Sequence, residues 1–173
     1  MASYYYLISS LPMLRTQGEP PMDYATFLSQ CRSAVSEGTY KTLEELTVRS
    51  GKGPLLSDWG EFYQSLSREL TYQRSVKLGR VCPVPSDRDS GIVQAVTAAV
   101  NAENPLEGEH LLLDLEFRRL DDMIGLHNFD EYALYGYAMK LQLLERQRTF
   151  RYDRGKQAFD GLMDNIRQQI SSL

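Results

Sequence analysis

Cysteine is nearly absent from this chain: Cys31 and Cys82 are the only two in 173 residues, far apart and in unlike local contexts. They offer neither a disulfide framework nor a CxxC metal or redox pair, so reduced thiols in a cytosolic protein are the expectation. Long apolar runs are missing as well. No stretch approaches the roughly 18 consecutive apolar residues that a spanning helix needs. The opening, residues 4–14, is short, aromatic and interrupted by Ser9, Ser10 and Pro12, and does not read as a signal peptide. A dominant positive charge is also lacking. The net charge of −4 argues against a general nucleic-acid binder. No P-loop, GxSxG, HxxxH or HExxH spacing occurs.

What is present is an ordinary globular composition, 42% hydrophobic and 24% charged, in a length that suits one domain with a real core. The charge is unevenly spread. Residues 101–131 hold nine acidic groups against Arg118 and Arg119, and residues 140–156 hold six basic ones against Glu145 and Asp153. An apolar run over 132–144 passes without a helix breaker into the arginine-studded run 145–156, the pattern of a helix that leaves a bundle as a basic arm.

Helical spacing of apolar residues recurs along the chain. The tyrosine-rich residues 4–11 read equally as a strand or as a short helix ended before Pro12. Asp23 should cap a helix carrying Tyr24, Phe27, Leu28, Cys31 and Val35, with Gly38 as its stop. Thr42 and Glu45 suggest a capping box opening a short helix. A longer helix from Asp58 carries Trp59, Phe62, Tyr63, Leu66 and Leu70 and ends at Gly79. Ile92, Val93, Val96, Ala99 and Val100 mark another over 87–101. Asn104-Pro105 starts one that runs to about Gly125. Asn128 and Glu131 start the last, in which Gly136, Gly155 and Gly161 are soft points and Phe159, Leu162, Met163, Ile166 and Ile170 restore an apolar face. The prediction is an all-α, elongated helical bundle in a single domain, residues 1–128 forming the bundle and 129–173 a long C-terminal helix or helix pair.

Candidate chemistry is thin. Gly51-Lys52-Gly53-Pro54 reads as a plain turn. His110 and His127, with Glu107, Asp114, Asp121 or Asp122, lack metal-ligand spacing and read as structural. Asp114, Glu116, Asp121 and Asp122 could serve as a general acid and base, but Asp114 with Arg118 and Arg119 with Asp122 have the spacing of solvated helix pairs. Cys31 and Tyr132, Tyr135 and Tyr137 lie among apolar neighbours and read as core. The partner-binding candidates are Arg146, Arg148, Arg151 and Arg154, which give a broad arc of helix positive potential for an acidic protein.

Two stretches together are distinctive. The start, Tyr4-Tyr5-Tyr6-Leu7-Ile8-Ser9-Ser10-Leu11-Pro12-Met13-Leu14, is followed by Pro20-Pro21 and Phe27-Leu28. The late run, Tyr137-Ala138-Met139-Lys140-Leu141-Gln142-Leu143-Leu144-Glu145-Arg146, is followed by Gly155 and Phe159. These resemble a bacterial family of uncharacterised proteins encoded among V-type ATPase genes. In that position a gene for the C-type (or d-type) connector, an all-helical protein between rotor stalk and membrane ring, would be expected. The resemblance implies a role without catalysis, cofactor or metal: a stalk or connector component, or an assembly factor, that contacts protein subunits of a V-type ATPase in ATP-coupled ion transport. It places the protein in the cytoplasm, or peripherally at the inner membrane through the complex. The rival readings are a small acid/base enzyme using residues 114–122 and a nucleic-acid-binding regulator using the arginine arm.

Overall fold

The computed structural model describes residues 4–148 and 161–163. The protein is all-α, with no strand among the described residues. Over residues 4–148 seven helices follow one another: α1 (Tyr5–Ser10), α2 (Tyr24–Cys31), α3 (Glu37–Glu44), α4 (Leu56–Lys77), α5 (Ser90–Asn101), α6 (Pro105–Ile124) and α7 (Glu131–Arg148). Residues 161–163 are helical too. The tyrosine-rich opening is therefore a helix. It buries Leu7 and stops where the Leu11 backbone turns extended before Pro12.

Short polar side chains decide where the helices begin. Asp23 caps α2 as expected, accepting from the Thr26 amide at 2.7 Å. That helix ends at Cys31, however, well before Val35. Ser36 then caps α3 from the Thr39 amide, which places Gly38 inside α3 and not at a helix stop. Thr42 is likewise interior, its hydroxyl donating to the Gly38 carbonyl, so no capping box starts there. Asp89 and Asn104 cap α5 and α6. Asp130, not Asn128, caps α7, accepting from the Tyr132 and Ala133 amides at 3.0 and 3.2 Å. Gly79 (φ +69°) and Gly125 (φ +52°) end α4 and α6 in conformations that a side chain would disfavour. Leu55 enters α4 at φ 62°, a local cost of about 1–2 kcal/mol that full burial of its side chain offsets.

Packing explains the even apolarity of the last helix. α7 lies against α6, α2 and α3, and Leu134, Ala138, Met139, Leu141, Leu143 and Leu144 are all inaccessible to solvent. Each such Leu or Met contributes about 1.5–3 kcal/mol by burial. Gly136 is no soft point: it is buried in mid-helix, and a Cβ there would overlap the Ile124 side chain. α5 packs on α4 and α6 through Ile92 and Val96. Its approach to α6 depends on Gly108, where a Cβ would lie 2.6 Å from the Ala99 carbonyl oxygen. Trp59 is wholly buried on α4 and donates its Nε1–H to the Val48 carbonyl at 2.8 Å, tying α4 to the segment that precedes it.

Candidate functional site

The arginine run does not leave the bundle where the sequence suggests. Three consecutive residues at the end of α7 each hold a different group. Glu145 accepts the Tyr24 amide at 2.6 Å, supplying a carboxylate to the N-terminus of α2, where the helix dipole favours it. Arg146 donates from both terminal nitrogens to the two oxygens of Glu116 on α6, at 3.2 and 2.7 Å. Gln147 meets the Nδ1 of His110, also on α6, at 2.8 Å. Arg146 is thus a half-buried partner inside the bundle, and Arg148 is the first arginine of the run that stands exposed. Arg151 and Arg154 lie outside the described residues.

The acidic group is divided in the same way. Glu116, only 1% exposed, is not a solvated residue; burial pushes its carboxyl above the ordinary range, against the opposing pull of Arg146. A cavity of about 160 Å³ beside the pair is lined by Tyr63, Leu70, Glu109 and Leu112. Asp114 and Asp121 face outward onto an open cleft between α5 and α6, near Arg15 and Arg118. Asp121 pairs with Lys140. Asp122 faces a third depression, with Asp58, Glu61, Asp89 and Arg119. Of the four candidate carboxylates only Asp114 and Asp121 share a cleft, and both are solvated there.

The expected helix pairs differ in detail. Arg118 donates its Nε–H to the Asp114 backbone carbonyl at 3.2 Å, and Arg119 lies 5.7 Å over the Phe62 ring. Both arginines remain exposed, as solvated face residues would be. His110 sits within α6, and His127 in the following connection stacks on Tyr132 at 4.3 Å beside Asp130. No three His, Cys, Asp or Glu among the described residues converge as metal ligands would. Burial pushes the Cys31 thiol up to about 12, which keeps it protonated and unreactive. At residues 51–54 the Gly53 carbonyl accepts the Ser57 amide and Lys52 is exposed.

One polar pair escapes sequence reasoning altogether. Glu69, 2% exposed, accepts from Arg88 at 3.0 and 2.6 Å and from Gln73 at 2.8 Å. Arg88 also lies 5.1 Å over the Tyr72 ring. The pair fastens the connection between α4 and α5 back onto α4. Hydrogen bonding from Arg88 holds the Glu69 carboxyl below the ordinary carboxylate range. A depressed folded pKa contributes stability that is present above the unfolded value, about 4.3, and is lost as pH falls through the folded value. Glu69→Gln should therefore lower stability by about 2 kcal/mol at pH 7. The deficit relative to wild type should shrink in urea titrations at progressively lower pH.

The described residues offer a set of fastened helix ends and solvated charged faces, and among them no constellation identifies a reaction. No helix among the described residues is long and apolar enough to cross a membrane. No protein-family model, curated protein or solved structure matches this chain.

Proposed function

We propose that this chain is a non-catalytic stalk or connector component, or an assembly factor, of a bacterial V-type ATPase. The reading rests on the resemblance of its two distinctive stretches to the proteins encoded among V-type ATPase genes. One observation supports treating those stretches as a single unit: they are far apart in sequence and pack directly on each other. The Tyr137 hydroxyl donates to the Pro12 carbonyl at 3.0 Å, Phe27 and Tyr137 have ring centroids 5.5 Å apart, and the α2 amide of Tyr24 is held by Glu145. An all-helical bundle is also what the resemblance implies.

Two docking faces follow from the charge distribution. The exposed acids between residues 103 and 122 (Glu103, Glu107, Asp114, Asp121 and Asp122) would supply the acidic one, and the exposed Arg148 the basic one. Reversing Arg148, which is exposed, together with Arg151 to Glu should leave thermal unfolding within about 1 kcal/mol of wild type. The same variant should weaken capture of the ATPase complex by tenfold or more, because charge reversal at a complementary interface is strongly unfavourable. Deleting the gene in the native host tests the reading at the level of the complex. Loss of assembled or coupled ATPase is expected, and an intact, fully coupled complex would contradict the proposal.

A further inference from the structure

The connection after α4 combines three features that point to one kind of partner. Its tip is aliphatic and bare: Leu78 is 68% exposed, Val81 is fully exposed, and Val76 and Val84 are also exposed. It is held in shape, with the Arg80 amide donating to the Ser75 carbonyl at 2.9 Å, the Cys82 thiol reaching the Tyr72 carbonyl, and Arg88 paired with the buried Glu69 at its far end. Charge around the tip is of one sign: from the last turns of α4 into the connection, positions 70–86 contain no acidic residue, while Arg74 and Lys77 on α4 and Arg80 beyond it are exposed. The two acids of the connection, Asp87 and Asp89, lie at its far end beside Arg88, where Asp89 caps α5.

We propose that this loop is a membrane-docking hook, in which Leu78 and Val81 enter the headgroup layer of an anionic phospholipid bilayer while Arg74, Lys77 and Arg80 meet its phosphates. An acidic protein would also answer the charge, but the apolar part fits lipid better. Protein interfaces draw their binding from Trp, Tyr and Arg and under-represent Leu and Val, and they favour a pocket that receives an anchor. Here the apolar side chains of an exposed tip are all aliphatic, the arrangement that partitions into a bilayer while neighbouring cations stay at the headgroups. Two acids stand nearby: Glu109, 4.0 Å from Arg74, and Glu103 in the turn between α5 and α6, beside Lys77 and Leu78. They reduce the local positive charge without cancelling it. Lys77 also donates to the Val100 carbonyl, which fixes the direction of its chain. The contact needs no protein partner and is independent of the ATPase reading.

Vesicle co-sedimentation of the purified full chain tests the hook. Phosphatidylcholine vesicles are compared with vesicles of phosphatidylcholine mixed with phosphatidylglycerol. Binding is expected to the mixed vesicles only, and to weaken as salt rises. Arg80→Ala should lower the partition coefficient about fivefold, the share of one cation near an anionic surface. Val81→Ser should lower it roughly tenfold by removing the inserted side chain. Both changes lie at exposed positions, and an unaltered circular dichroism melt confirms that the fold is kept. The variant with Arg148 and Arg151 reversed to Glu should bind vesicles as wild type does. Absence of binding to the mixed vesicles at low salt would overturn the hook. So would binding that survives Arg80→Ala and Val81→Ser, binding lost with the Arg148 and Arg151 reversal instead, or tip-dependent capture of an acidic protein without any vesicle binding.

Discussion

Arg146→Ala is expected to destabilise the protein by about 3–5 kcal/mol at pH 7, the usual consequence of removing one partner of a buried ion pair. The reason is the position of Glu116, whose two oxygens are both satisfied by that one guanidinium at 3.2 and 2.7 Å while its side chain is out of solvent. Its carboxyl is already pushed upward by burial, and without Arg146 it would be pushed further. A carboxyl whose folded pKa exceeds its unfolded value binds its proton more tightly in the folded state. Stability is then greatest below the unfolded value and declines as pH rises toward the folded one. The deficit of Arg146→Ala should accordingly shrink as pH is lowered through about 4 and below, where Glu116 becomes protonated in both states. Urea unfolding at a series of pH values reads this directly. Replacing both members, Glu116→Leu with Arg146→Met, should recover most of the loss, because an apolar pair has no charge to leave unpaired. A similar deficit in the double variant would contradict this account, since Met keeps an apolar stem and no unpaired charge remains.

Trp59→Ala should be comparably severe, at about 3–5 kcal/mol. The indole is completely buried, its centroid 5.3 Å from Phe62 and 5.9 Å from Tyr63, and it bonds the Val48 carbonyl. With roughly 2–4 °C per kcal/mol for a chain of this size, the melting temperature should fall by about 10 °C. Trp59→Phe separates the two contributions. It keeps an aromatic ring in place but leaves the Val48 carbonyl without its donor, a loss of about 1–2 kcal/mol. Differential scanning calorimetry on the two variants distinguishes them.

The helical architecture is legible because the chain states it locally. Asp23 and Asn104 are caps with one reading, Gly79 and Gly125 are stops with one reading, and the stripe of Trp59, Phe62 and Leu66 is the buried stripe of α4. The boundaries that differ do so because caps compete. Ser36 lies six residues before Thr42, and either could open a helix; the earlier one wins because a helix from Glu37 buries both Thr39 and Leu43. Asp130 likewise lies within two residues of Asn128 and caps with a carboxylate that also meets His127.

The buried charges are hidden for a different reason. Glu69 lies between Leu66 and Leu70 on the inward side of α4, and Glu116 lies between Leu113 and Phe117 on α6. Sequence proximity groups Glu116 with its acidic neighbours, although helical period sets it on the apolar stripe with Leu112, Leu113 and Leu120. A carboxylate on such a stripe must find a cation. The sequence contains that demand, but Arg146 is 30 positions away, and only the packing of α7 on α6 brings the two together. The same pairing explains why the arginine run looks like an arm from its first member. Charge spacing reveals a basic surface but not which of its residues has a partner across the bundle.

Affinity purification of the tagged full-length protein from its native host, with identification of what co-elutes, tests the functional account most directly. Co-elution of V-type ATPase subunits, diminished when Arg148 and Arg151 are reversed to Glu, is the expected result. A protein that elutes without any V-type ATPase component, under conditions in which the assembled ATPase is itself recovered from the same cells, would contradict it.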